Sequence, residues 1–147
     1  MARRTLRVLS IGLLVVVASG CGRDDTTARR LESAVASTFA NLIHSQETIL
    51  GVVPVEASAL RASASCHKVV IASGATGGGW RCTVTWFAPG HREALRDTYD
   101  VSLSTDGCYT ATADGAEAHV GGPTILRRSG ETLTNLVYAF DGCFDTT

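Results

Sequence analysis

The four histidines, His44, His67, His91 and His119, are dispersed along the 147-residue chain, and none has a second ligand-type residue at metal-site spacing. Zinc sites want close pairs such as C-x2-C or H-x3-H, whereas the two nearest cysteines, Cys66 and Cys82, stand 16 positions apart. His67 follows Cys66 directly, but adjacent residues on a strand point to opposite faces. Asp141 and Asp145 flank Cys143, and two carboxylates fall far short of the ~6–8 oxygens that calcium takes. No metal or other cofactor is expected. Gly74-Ala75-Thr76-Gly77-Gly78-Gly79 has the glycine content of a phosphate loop. It leads into Trp80 without the Gly-Lys-Ser/Thr that such a loop needs, so it reads as a connector. No G-x-S-x-G motif is present. His91 sits with Arg92, Glu93, Arg96 and Asp97 in a charged stretch that reads as a solvated hairpin tip. The expectation is a protein that is not an enzyme.

Cys66, Cys82, Cys108 and Cys143 form an even set, which in an exported chain reads as two disulfides with three conceivable connectivities. Asp106-Gly107-Cys108-Tyr109 and Asp141-Gly142-Cys143-Phe144 echo each other, each setting a cysteine between an Asp-Gly turn signal and an aromatic ring. The pairing favoured is Cys108–Cys143, which leaves Cys66–Cys82. Oxidation of all four removes a thiol nucleophile from consideration.

Export is written at the N-terminus. Arg3, Arg4 and Arg7 precede an apolar run over 8–18 that is too short to cross a hydrocarbon core of ~30 Å. It ends in Ala18-Ser19-Gly20-Cys21. This resembles the lipobox of bacterial lipoproteins, which implies cleavage before Cys21, lipidation of that cysteine, and a cell-membrane location on the extracytoplasmic side. The organisation expected is a signal peptide over 1–20, a lipidated tether over 21–27 and one domain over 28–147. Thirteen basic residues against fourteen acidic argue against nucleic acid as a partner. Loss of Arg3, Arg4 and Arg7 tips the mature chain further to acid, so acyl chains rather than basic residues would hold it to the membrane.

The elements follow from periodicity. Leu31, Val35, Phe39, Leu42 and Ile49 form one stripe of a helix over 27–49, stopped by Gly51 and Pro54. Residues 51–65 are Ala/Ser-rich, with at most a short helix over 56–64. Trp80, Cys82, Val84 and Trp86 alternate with polar residues, as do Tyr99, Val101 and Leu103, giving two half-buried strands joined by a charged loop over 89–97. A two-residue Asp-Gly turn would pair Thr105 with Cys108, burying Cys108 and turning Tyr109 outward; a one-residue bulge would reverse both. Short strands are expected over 124–127 and 133–140. If Val69–Ile71 formed a regular hairpin with Trp80–Trp86, Val70 would face Cys82. Cys66 would then lie ~13 Å away, beyond the ~7 Å limit of a disulfide. The bond is therefore expected and the hairpin is not.

The resulting fold class is α+β: one N-terminal helix packed on a three- to five-stranded antiparallel sheet, with two disulfides. The layout of lipobox, helix, cysteine, glycine-rich gap and a cysteine-bearing strand is similar to small lipoproteins of actinobacteria. That resemblance implies an envelope location and carries over no catalytic residue.

Function narrows to three classes: a non-catalytic binding or accessory module of the cell envelope, a structural lipoprotein without a discrete ligand, and, behind both, an enzyme with an unrecognised site. Phe87, of opposite parity to Trp86, and Tyr109 are the candidate binding face for an envelope protein or small ligand. The apolar segment 133–144 is expected to cover part of that face.

Overall fold

The computed structural model describes residues 23–69, 78–115 and 119–145, with the backbone alone for 23–26 and 78. The segment expected to be a signal peptide, Cys21 and most of the glycine run before Trp80 lie outside the described residues. One N-terminal helix packs on a five-stranded antiparallel sheet, accompanied by a separate two-stranded hairpin.

Helix α1 runs Arg23–Leu50, 28 residues or about 42 Å. It starts four residues before the expected Thr27. Leu31, Val35, Phe39 and Ile43 fall on one face at helical spacing and are buried against the sheet. Gly51 ends the helix with φ of +74°, and the Gly51 and Val52 N–H groups return to the carbonyls of Thr48 and Glu47. The Arg127 guanidinium donates to the Ile49 carbonyl at 2.7 Å, placing a cation at the negative end of the helix.

A single 3-10 turn, Ala57–Leu60, replaces the short helix expected over 56–64. The strands are β1 (Ser63–Lys68), β2 (Gly78–Trp86), β3 (Leu95–Leu103), β4 (Cys108–Ala113), β5 (Thr124–Leu126), β6 (Thr132–Thr134) and β7 (Ala139–Cys143). The large sheet has the order β1-β2-β3-β4-β7, and β5-β6 is the small hairpin. The span 133–140, expected as one strand, is therefore split between β6, a turn and β7. β7 extends the sheet edge beside β4 and does not cover the open face.

The disulfides are Cys66–Cys82 and Cys108–Cys143. The conflict between the first bond and a hairpin dissolves on register. β1 is Ser63–Lys68, and its antiparallel ladder with β2 places Cys66 directly opposite Cys82. Hairpin and bond coexist because the pairing is displaced by four residues from the one that puts Val70 against Cys82.

The turn after β3 is bulged. Ser104 donates its N–H to the Cys108 carbonyl across residues 105–107, and Gly107 takes φ of +86°, the left-handed position of a three-residue hairpin loop. The Asp106 carboxylate accepts from the Ser104 hydroxyl and from the Cys108 N–H. These two bonds, in that order, hold its pKa below the usual carboxylate value. Leu103 then pairs with Tyr109, so Tyr109 enters the core and Cys108 faces the other way. The outward placement expected for Tyr109 is thus corrected.

The helix-facing side carries Cys82, Val84, Tyr99, Val101, Tyr109 and Ala111, all buried. Phe39 packs on Trp86 and Tyr99 at ring-centroid distances of 5.5 and 6.2 Å, and Tyr99 on Phe140 at 5.3 Å. The opposite face shows Ser63, Ser65, Thr83, Thr98, Ser102 and Thr110, a polar surface with the Arg81–Asp100 ion pair across it at 3.0 Å.

Candidate functional site

Strand β1 is an outer strand of the sheet, and a groove lies against its free edge. The Val69 N–H donates to the Gly79 carbonyl. In an antiparallel ladder hydrogen-bonded and non-bonded pairs alternate, so Ser63, Ser65 and His67 also bond to β2, while Ala64 and Cys66 direct their backbone groups away from it. The Cys66 N–H confirms the parity: it donates at 2.9 Å to the Glu32 carboxylate, which reaches down from α1. Neither backbone group of Ala64 has a partner among the described residues.

Helix α1, the 3-10 turn and β1 enclose a groove of about 610 Å³ along this edge, within the range of ligand sites. Its helix wall includes the small residues Ser33, Ala36, Ser37 and Ala40 together with Asn41, and Ala62 and Ala64 line the opposite side. Arg29 and Arg61 stand in its lining as the two cations, with Glu32 as the one carboxylate.

Arg61 is the sole non-glycine described residue with positive φ, at +46° in the left-handed region. That conformation costs an L-residue free energy and calls for local compensation. Compensation comes from Phe87, over whose ring the Arg61 guanidinium lies at 4.0 Å. The Phe87 N–H in turn donates to the Leu60 carbonyl at 2.9 Å. Phe87 is half-buried, its ring beneath Arg61 and its backbone tied to Leu60. The expected outward pairing of Phe87 with Tyr109 does not form, because Tyr109 lies in the core with its hydroxyl donating to Thr38 at 2.9 Å.

Two buried polar groups, invisible to motif reasoning, organise the rest. Asp97 belongs to β3 rather than to the charged loop, and its side chain is fully buried. It accepts from the Trp86 indole at 2.9 Å and from the His119 N–H at 2.6 Å, pinning the segment after β4 to the core. Asn135 donates to the carbonyls of Val120 and Gly122 and accepts from the Val137 N–H. Tyr99 donates its hydroxyl to the Val137 carbonyl at 2.8 Å. Burial, with the Asp97 charge beside it, raises the Tyr99 phenol far above its ordinary pKa. Parity within β3 places Asp97 on the Tyr99 side and is the signal that could have found it.

The remaining histidines are structural or solvated. His44 bonds the Val55 carbonyl at 2.9 Å, His91 is exposed between β2 and β3, and His67 is exposed on β1. No group of three His, Cys, Asp or Glu residues placed to hold a metal occurs among the described residues. No helix among them is long and apolar enough to cross a membrane. Comparison with known protein families, with curated proteins and with solved structures finds no match.

Proposed function

We propose that this chain is an extracytoplasmic lipoprotein, held to the cell membrane through Cys21, that serves as a non-catalytic binding or accessory module of the envelope. The observation that carries the binding role is the groove between α1 and the free edge of β1, where Ala64 presents an unpaired donor and acceptor. A binding site needs convergent polar groups beside an apolar wall, and this one has them. Its charged residues suit holding a chain rather than moving a proton, because Glu32 is committed to a backbone N–H and Arg61 to an aromatic face. The two disulfides point to an oxidising compartment outside the cytoplasm. The Ala18-Ser19-Gly20-Cys21 sequence supports lipidation.

The test of the address is acyl labelling and membrane fractionation of wild-type and Cys21→Ala protein. The account predicts loss of label, with either accumulated precursor or release from the membrane. Unchanged labelling and fractionation of the variant would overturn it. Crosslinking from intact membranes then tests the binding role. A protein that crosslinks to nothing from the groove favours the structural reading, for which the polar open face of the sheet is the supporting observation.

A further inference from the structure

We infer that the free edge of β1 takes an extended, acidic segment of a partner protein as an additional strand, seated between Ala62–Ala64 and α1. This rests on the reading of the domain as a binding module and names the chemistry of its partner.

An exposed strand edge is a template for pairing with another chain, and folded proteins commonly blunt it with charges, bulges or cover. The β1 edge is only half blunted. Glu32 occupies the Cys66 N–H, whereas both backbone groups of Ala64 remain open toward the groove. Groups in that alternation are satisfied by the backbone of an extended polypeptide, the mode of recognition in which main-chain bonds supply affinity and flanking pockets supply selectivity.

The helix wall limits what can enter. Beside Arg29, Glu32 and Asn41, the helix presents the short side chains of Ser33, Ala36, Ser37 and Ala40 to the groove, which favours a slender, extended occupant. A second copy of this chain does not fit, because its own α1 lies against the same edge through Glu32 and two helices would contend for one groove. Charge selects further. Arg29 and Arg61 line the groove, and neither forms an ion pair with a described residue. The groove's one acid is already engaged with Cys66. An entering segment with carboxylates at its ends complements this arrangement, and one with lysines opposes it.

The test uses the purified full chain and a fluorescent acetylated peptide of alternating valine and serine with a glutamate at each end, followed by anisotropy. Saturable binding is expected. It should fall at least tenfold with Ala64→Pro, which removes an outward N–H and leaves every β1–β2 ladder bond in place. It should also fall at least tenfold for a peptide N-methylated at alternate residues. Arg61→Glu should weaken the acidic peptide and improve binding of its lysine-ended counterpart. Far-UV circular dichroism and thermal unfolding verify that each variant is folded. If Ala64→Pro fails to fold, the N-methylated peptide against wild-type protein decides the matter.

Absence of saturable binding, equal binding of the N-methylated peptide, or a concentration-dependent homodimer that Ala64→Pro abolishes would each overturn the inference. None of these outcomes bears on acyl labelling of Cys21. A partner crosslinked from another surface would leave the binding-module reading standing while this inference fell.

Discussion

Tyr109 and Gly142 sit opposite each other on β4 and β7, and the tyrosine ring fills the space that a side chain on Gly142 would need. A Cβ at Gly142 would come 2.7 Å from the phenolic oxygen and 2.9 Å from the ring carbon bearing it. The same hydroxyl reaches Thr38 on α1, so the glycine lets a large side chain bridge sheet and helix at the last strand. Asp141-Gly142-Cys143 is thus extended strand and not a turn, despite its likeness to the true turn at Asp106-Gly107-Cys108.

Gly142→Ala is therefore expected to destabilise the fold by about 1–3 kcal/mol through overpacking. Tyr109→Leu in the same chain should recover part of that loss, because it removes the atoms in conflict. A urea-unfolding double-mutant cycle reads the coupling. Strict additivity of the two changes would show that the ring is not what excludes the side chain.

Asp97→Ala should be among the most damaging single changes. It strands the buried Trp86 indole N–H and the part-buried His119 N–H, and an unsatisfied buried donor costs about 1–3 kcal/mol. Asp97→Asn retains one acceptor oxygen and should be milder. Chemical denaturation of both variants checks the order, and amide exchange at His119 should rise in the alanine variant.

Stability should decline at alkaline pH in a way traceable to Tyr99. Its pKa in the folded state is raised by burial and by Asp97, so the neutral phenol favours the fold. The stabilisation is intact below the ordinary tyrosine value of about 10 and is lost as pH rises above it, at up to about 1.4 kcal/mol per pH unit for one such group. Tyr109, raised by burial in the same direction, adds to the slope. Tyr99→Phe should be less stable at neutral pH, since the Val137 carbonyl loses its donor, yet show a shallower alkaline decline. Denaturation curves between about pH 9 and 11 measure both effects.

The two disulfides should differ in accessibility. Cys82 is fully buried and Cys66 nearly so, whereas Cys143 is exposed and Cys108 half-buried on the open face. Mild reduction followed by alkylation and peptide mapping should label Cys108 and Cys143 first. On loop length alone, with separations of 16 and 35 residues, the bonds contribute roughly 3 and 4 kcal/mol. Earlier labelling of Cys66 and Cys82 would contradict the burial described.

Where large side chains alternate with polar ones, the sequence was a sufficient guide: Trp80 to Trp86 and Tyr99 to Leu103 announce strand and face together, and Leu31 to Ile43 announce the helix. The repeated Asp-Gly-Cys segments pointed to the Cys108–Cys143 pairing. The same dipeptide misled on register, because Asp-Gly serves both two-residue turns and three-residue bulged loops, and the choice lies in bonds from Ser104 and Asp106. β1 escaped notice because Ser63-Ala64-Ser65-Cys66 alternates only between small residues, which gives little contrast in hydropathy. The groove was illegible for a related reason. It depends on which backbone groups of β1 face away from β2, a property of register and not of residue type. Arg61 and Phe87 meet only through a left-handed residue that no local pattern marks.

Site-resolved photocrosslinking in intact cells tests the central claim most directly. A photoreactive residue placed in turn at Ser37, in the groove wall, and at Thr112, on the open sheet face, reports which surface meets a partner. The account predicts a discrete crosslinked species from Ser37 in the membrane fraction. That species should be absent from Thr112, lost with Ala64→Pro and depleted when Cys21→Ala releases the protein from the membrane. Crosslinks from Thr112 and none from Ser37, or a Ser37 product indifferent to Ala64→Pro, would contradict it.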